Sequence, residues 1–511
     1  MRHFAQLLRT RLHRPFGAVA LGLALSGRAL ASDAFDGHRF YYGDPHAHTG
    51  LSHDGHSSDV RDGCYSGEPC GAFSDVFSTA VSNKLDWVVV SDHVNGGADY
   101  QTTEDEYFQL ISADLNHPDP GGPLLVIPGA EVWFALPDGT RLGHKNLLMF
   151  GDPAAIASVA LADVSPPGTL ADCAGITTWM DGFVAQYGDA VLVPHHTMMD
   201  TPMPTDWACH TAYEPATEVY SQWGSSLGGA IDYDLPYFPY PEGSVAVALD
   251  PSGYALQMGF FAGTDGHQTL PGSLCKDVLG GYQVSTGGLT IAVLDDGESL
   301  DRASLYRAVI GHRTIATSGP RVPMVLTLSD ALGDTWGLGD AVALPAGQDL
   351  QVAVAVAPDG ASGVTAVWFV TPEGDVPMEA VDGTTYAALV PSGAVPAWGY
   401  VAVQFDAPSL GLCSDGGGRD VEWMWMSPSY IRRAGGGSFP GLIGDASGFP
   451  QLPGAEDSAA SVDDSATDGP HARRCGCASV GFDGAPGIAV AGLLGLVARR
   501  RSTASRRPGR K

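Results

Sequence analysis

Between residues 39 and 320 the chain alternates short apolar runs with longer amphipathic stretches. The apolar runs at 86–91, 124–128, 145–150, 190–193, 218–221, 260–263 and 289–294 have strand length and are too short for helices. The stretches 72–83, 177–187 and 299–310 carry apolar residues at helical spacing. This alternation predicts βα units around a mostly parallel sheet or barrel, over 32–320. After Pro320 the texture changes. Short apolar runs at 324–328, 350–356, 365–370, 385–390 and 399–405 are separated by Gly, Pro and Asp, which predicts a small β-sandwich-like domain over 321–433. Residues 434–474 are rich in Gly, Ser, Asp, Ala and Pro and have few large apolar groups, as expected of a flexible linker.

The two ends read as targeting segments. Arg2, Arg9, Arg11 and Arg14 precede an apolar run at 16–25, and Ala29-Leu30-Ala31 supplies a small-x-small cleavage pattern, so 1–31 is expected to be a signal peptide. Near the other end, Cys475-Gly476-Cys477 is followed by an apolar stretch at 485–498 and by Arg499-Arg500-Arg501. That stretch is shorter than the ~20 residues a lasting bilayer span needs. Residues 475–511 resemble the myxobacterial C-terminal sorting signal, which combines a Cys motif, a short hydrophobic helix and an Arg cluster. The resemblance implies export, transient membrane association through this tail, cleavage by a sorting protease, and a final place at the cell surface (outer membrane) or outside the cell.

Charge supports export and excludes one class of partner. The whole chain carries 27 basic and 57 acidic side chains. Setting aside residues 1–31 and 473–511, with their 14 basic groups and one acidic group, leaves 13 basic against 56 acidic, a net −43. Such a surface repels polyanions, so nucleic acid is not an expected partner. Outside the tail there are six cysteines: Cys64, Cys70, Cys173, Cys209, Cys275 and Cys413. An even number in an exported chain points to disulfides. Proximity suggests Cys64 with Cys70, Cys173 with Cys209, and Cys275 with Cys413, although six cysteines allow 15 pairings.

The chemistry lies at the ends of the strand-like runs. His46 and His48 stand two apart, so on an extended strand both face one side. Asp54 follows. The run through Val90 ends in Ser91-Asp92-His93, the next leads to Glu131, and His144 precedes the run at 145–150. Pro194-His195-His196 and Asp265-Gly266-His267 end two more. In α/β barrels the carboxyl ends of strands form the face where active sites are built. Each piece alone has a structural explanation, but as a set they do not. Buried charges are costly unless paired or metal-bound, and ligand-type residues end at least five runs. Neither a G-x-S-x-G elbow nor a P-loop is present, which argues against serine-esterase and nucleotide-driven chemistry.

The ordered set H-x-H, Asp-His, Gly-x-Glu, His, Pro-His and Asp-x-His resembles the PHP superfamily, named for polymerase and histidinol phosphatase, over about residues 39–320. The opening Tyr42-Gly43-Asp44-Pro45-His46-Ala47-His48-Thr49 and the late segments 288–293 and 305–321 look like its carbaryl-hydrolase-like branch. The resemblance implies a distorted (β/α)7 barrel with two or three divalent metal ions (Zn, Mn or Fe). His46, His48, Glu131 and Asp265 would hold the first. Glu131 would bridge to a second with His144 and His195, and Asp54, His93 and His267 would hold a third. Glu131, Asp265 and His195 would be the catalytic residues. His195 fits the family position better than His196, and His53 or His56 could replace Asp54. The implied activity is hydrolysis of a small-molecule substrate by a metal-activated water, with phosphoesters favoured by superfamily frequency. The alternatives are a carbamate, amide or ester bond, or a non-catalytic, metal-stabilised surface-binding protein. Asp92 is a candidate to orient a ligand histidine, and Arg313 or Arg321 to meet an anionic substrate. Glu218, Trp133, Trp179 and Trp223 are read as structural.

Overall fold

The computed structural model describes residues 33–52, 54–60, 64, 70–94, 111, 124–166, 169–199, 205–228, 239–274, 286–406 and 421–433. The expected signal peptide, linker and sorting tail lie outside these residues, as do Cys275 and Cys413.

The apolar runs of the first 320 residues become strands. They are β1 (Asp33–Phe35), β2 (His38–Ala47), β3 (Trp87–Val90), β4 (Leu125–Ala135), β5 (Arg141–Met149), β6 (Ala190–His195), β7 (Ala216–Ser221), β8 (Gly224–Ser225), β9 (Gly259–Ala262), β10 (Leu289–Asp295) and β11 (Thr314–Thr317). The amphipathic stretches give helices Val76–Ser82, Ala174–Tyr187 and Arg302–Ile310. The last shows how local sequence sets an element. Asp301 accepts from the Ser304 backbone N–H while the Ser304 hydroxyl accepts from the Asp301 N–H, a capping box that closes the first turn. Its inward residues Leu305, Ala308 and Val309 pack with Trp87, Leu125 and Leu148 of the sheet. Each such burial contributes ~1.5–3 kcal/mol for a large aliphatic side chain.

The expectation of a mostly parallel sheet needs correction. β2, β3 and β4 are parallel neighbours. β5 runs antiparallel to both β4 and β6, and β10 runs antiparallel to both β2 and β11. The cause is the short link after β4. Leu136 N–H donates to the Thr140 carbonyl and Gly139 takes φ 87°, a tight turn that can join only antiparallel strands.

The strands do not form a closed (β/α)7 barrel either. β7, β8 and β9 make a separate three-stranded sheet. β6 and β7 meet through single bonds, from Leu192 N–H to the Tyr213 carbonyl and from the Thr217 hydroxyl to the Pro194 carbonyl. Pro194 and Pro215 lack the donors a continuous ladder would use at that seam. β9 reaches β2 through the isolated bridge Ala47–Gly266. The fold is mixed α/β and strand-rich, with open sheets.

The rest of the chain is β12 (Met324–Ser329), β13 (Thr335–Trp336), β14 (Val342–Leu344), β15 (Leu350–Val356), β16 (Val364–Thr371), β17 (Gly374–Pro377), β18 (Glu379–Ala380), β19 (Thr385–Val390), β20 (Trp398–Asp406), β21 (Val421–Met426) and β22 (Ser429–Arg433). Five of these form an antiparallel sheet in the order β13-β12-β15-β19-β18. β21 pairs with β11, so the main sheet runs β14-β22-β20-β21-β11-β10-β2-β3-β4-β5-β6. One apolar cluster joins Phe40, Ile291 and Ile315 of the first region to Leu326, Val352, Phe369, Val403 and Met424 of the second.

Cys64–Cys70 and Cys173–Cys209 are disulfide-bonded, with Cα atoms 5.6 and 4.9 Å apart. The second ties helix Ala174–Tyr187 to the turn Trp207–Cys209. Disulfides mark an oxidising, exported environment. Among the described residues no helix is long and apolar enough to cross a membrane.

Candidate metal centre

The strand ends converge. β2 carries His46, with His48 just beyond it, and both rings are fully buried. His93 follows β3 and bridges to Glu131 on β4. His144 on β5 lies directly across from His195 at the end of β6. Asp265 and His267 follow β9. Asp265 N–H donates to the His46 carbonyl and His48 N–H to the Gly266 carbonyl, which holds the two ends together. Asp265 and His196 have φ of 51° and 31°. A left-handed backbone is uncommon for such residues and clusters at functional sites.

Three groups of four could each hold an ion, with ligand atoms within 4.8 Å of one another: His46, His48, Glu131 and Asp265; Glu131, His144, His195 and His196; and His48, Asp54, His93 and His267. All nine residues singled out in the sequence fall in these groups. His196, set aside in favour of His195, joins the second, and His48 reaches the third as well as the first. Asp54 stands in the third; His53 lies outside the described residues.

The first group has the tightest geometry. His46 Nε2 is 3.1 Å from His48 Nε2, 3.1 Å from Glu131 Oε2 and 3.2 Å from Asp265 Oδ1. His48 Nε2 is 3.3 Å from Glu131 Oε2 and 3.2 Å from Asp265 Oδ1. Nitrogen and oxygen ligands ~2.1 Å from an ion stand roughly 3.0–3.4 Å apart in octahedral to tetrahedral arrangements. The donor set therefore fits a divalent cation. Orphaned atoms agree: among the described residues Asp265 Oδ2, His144 Nε2, His195 Nδ1 and His196 Nδ1 are buried without a hydrogen-bond partner. Buried polar atoms are seldom left so.

Glu131 is the shared member. Its Oε2 faces His46 and His48, while its Oε1 meets His144 Nδ1, His195 Nε2 at 3.1 Å and His93 Nδ1 at 3.3 Å. Asp54 Oδ2 lies 3.3 Å from His93 Nε2 and 3.2 Å from His267 Nε2, with 38% of its side chain exposed at the rim.

Charge in the cluster is strongly coupled. Burial alone would strip His93 and His267 of their protons, but the Asp54 carboxylate outweighs it, with help from Glu131 and Asp265, and lifts them to about 9 and about 10. Burial holds His195 down to about 4 and His196 well below the ordinary histidine value. Burial would raise Glu131, but His93, His195 and His144 hold it well below the usual carboxylate range.

The supporting residues include two that the sequence did not single out correctly. Glu218, read as structural, has Oε2 2.9 Å from His46 Nδ1. With a cation at Nε2, that contact would keep the ring proton on Nδ1. Asp44 is buried and accepts from Thr264 N–H, the Thr264 hydroxyl, Gly272 N–H and His46 N–H, so it fastens the end of β9 to β2. Asp92 accepts from the backbone and hydroxyl of Thr49, both at 2.6 Å, and so shapes the turn after His48; this differs from the expected histidine contact. Arg313 pairs with Asp295, and Arg321 donates to the carbonyls of Asn83 and Lys84. Neither is part of the cluster.

No family model and no curated protein matches this chain. Among solved structures, the crystal structure of PsfC from Pseudomonas syringae is similar over 53% of this chain and 88% of its own, at 16% identity and a TM-score of 0.31. That likeness is too low to carry an argument.

Proposed function

We propose that the protein is an exported metal-dependent hydrolase whose strands form a distorted, incompletely closed PHP-like barrel. The observation that carries this reading is Glu131, a buried carboxylate whose two oxygens face two different sets of imidazoles. A carboxylate between two cation sites is the arrangement that multinuclear hydrolysis uses. His46, His48, Glu131 and Asp265 would hold one ion, Glu131, His144, His195 and His196 a second, and Asp54, His93 and His267 a third. Bound there, Zn, Mn or Fe would supply Lewis acidity and lower the pKa of a coordinated water. The chain's own residues do the rest. Glu218 fixes the His46 tautomer, Asp44 and Asp92 hold the loops that carry the ligands, and burial excludes bulk water from the inner rings.

The bond class follows from two considerations. Superfamily resemblance favours a phosphoester. A carboxyl ester, amide or carbamate is favoured by the site's charge: Lys145, Arg302, Arg307, Arg313 and Arg321 are engaged elsewhere, and among the described residues no Lys or Arg pairs with a carboxylate of the cluster. The sorting-tail resemblance would place the enzyme at the cell surface.

The test is metal content of the full-length protein, purified without chelator, beside a His46→Ala/His48→Ala double variant. Both are then assayed on aryl and alkyl phosphoesters, carboxyl esters and carbamates. Two or three equivalents of transition metal, reduced in the variant together with turnover, are expected. Folded protein that binds no transition metal on resupply overturns the reading. Metal without turnover on any of these substrates would favour a metal-stabilised binding protein instead.

A further inference from the structure

The inner rings of the centre, His46, His48 and His195, are fully buried, whereas His93, His144, His196 and His267 keep between 5 and 9% exposure. These four define the side of the centre that meets solvent. Their centroids are 5.7 Å apart for His93–His144, 5.1 Å for His144–His196 and 6.2 Å for His93–His267. Two indoles stand against this frame. Trp133 stacks on His144 at 5.2 Å and meets His93 edge-on at 5.6 Å. Trp223 meets His196 at 6.2 Å and His267 at 6.4 Å. Each tryptophan thus contacts a different pair of the four rings.

Local structure explains both positions. Trp133 is two residues beyond Glu131 on β4, hence on the same face, and pairs in register with His144. Trp223 sits in the turn between β7 and β8, before Gly224 at φ 107°. Neither is packed away as the core tryptophans Trp87 and Trp425 are, at 1 and 0% exposure; both are half-buried.

We propose that Trp133 and Trp223 are specificity residues that clasp a flat group of the ligand against the histidine frame. The inference rests on the hydrolase reading only for the identity of this opening as a substrate entrance. Indole faces offer large apolar area and favour offset stacking with a flat partner.

The test uses two neutral probes of similar size, benzamide and isobutyramide, titrated into the full-length, metal-loaded protein by calorimetry and ligand-observed NMR. Benzamide is expected to bind at least tenfold more tightly, with its ring protons shifted upfield by the indole faces. The preference should vanish in Trp133→Leu and in Trp223→Leu at unchanged metal content. Equal binding of the two probes to the unmutated protein, absent ring-current shifts, or a preference that survives both substitutions would overturn the proposal. The unmutated comparison decides even where a variant loses its fold. Preference without turnover of any ester refutes the hydrolase reading and leaves the clasp standing; turnover without preference does the reverse.

Discussion

Loading the Asp54–His93–His267 group with a divalent cation should expel close to two protons at pH 7. In the metal-free protein His93 is lifted to about 9 and His267 to about 10. At pH 7 both rings therefore carry a proton, and a cation binds only the deprotonated imidazole. Removing those protons costs ~1.4 kcal/mol per unit between the pKa and the pH, hence ~3 kcal/mol for His93 and ~4 kcal/mol for His267. Solvent reaches Asp54 at the rim, so ~7 kcal/mol is an upper value. Apparent affinity should climb by up to ~100-fold per pH unit from 7 toward 9, by up to ~10-fold from 9 to 10, and then level off. Stability moves the opposite way without metal. Both folded-state values lie above the unfolded ~6.5, so the stabilisation is complete below pH 6.5 and is lost as pH rises through 9 to 10. Calorimetric titration of Zn in two buffers of contrasting ionisation enthalpy counts the protons. Asp54→Asn removes the carboxylate that raises both rings most, so it should bring the count for this site below one. Fewer than half a proton released in the unmutated protein at pH 7 would refute the coupling described here.

Two further outcomes follow from the surrounding contacts. Glu218→Leu removes the acceptor that fixes His46 and should weaken metal binding ~10–100-fold, with a smaller loss in Glu218→Gln, measured by competition with a chromophoric chelator while the melting temperature of the metal-free protein stays near its starting value. Lys145 and Glu214 form a fully buried ion pair at 3.1 Å; Glu214→Met strands the ammonium and should cost ~3–5 kcal/mol in denaturant unfolding, whereas Lys145→Met/Glu214→Met should recover most of it.

Most of the ligands were legible because they lie at or next to the ends of apolar runs, although Glu131 and His144 fall inside β4 and β5. Pairing itself was not legible. The run at 124–128 was read as stopping at Gly129, yet β4 continues to Ala135. Gly129 is there for close approach: a Cβ would meet Val89 Cγ1 at 2.5 Å and the Val90 carbonyl at 3.0 Å. Read as a break, it hid the hairpin signal Pro137-Asp138-Gly139, and with it the antiparallel turn of the sheet. His195 fits the family position better than His196, yet the His196 backbone has a positive φ and its ring lies 5.1 Å from that of His144. Glu218 lies 172 residues from His46, a separation at which no spacing argument operates.

The buried carboxylates divide by the kind of donor they receive, and that division bears on how the protein comes to hold metal. Asp44 and Asp92 accept from hydroxyls and backbone amides, contacts with fixed protons that hold the loops whether or not a cation is present. Glu131 and Asp265 face imidazoles. An imidazole can satisfy a carboxylate in two ways without moving: protonated, as a cationic partner, or deprotonated, as a fellow ligand to a metal. Burial of Glu131 and Asp265 would otherwise be prohibitive, since among the described residues no Lys or Arg offsets them. Protons on the histidines can therefore occupy the electrostatic place of the cations, so the centre can assemble first and exchange protons for metal afterwards. The order of folding and loading is then set by pH and cation concentration, and the proton count on loading measures how far that substitution goes.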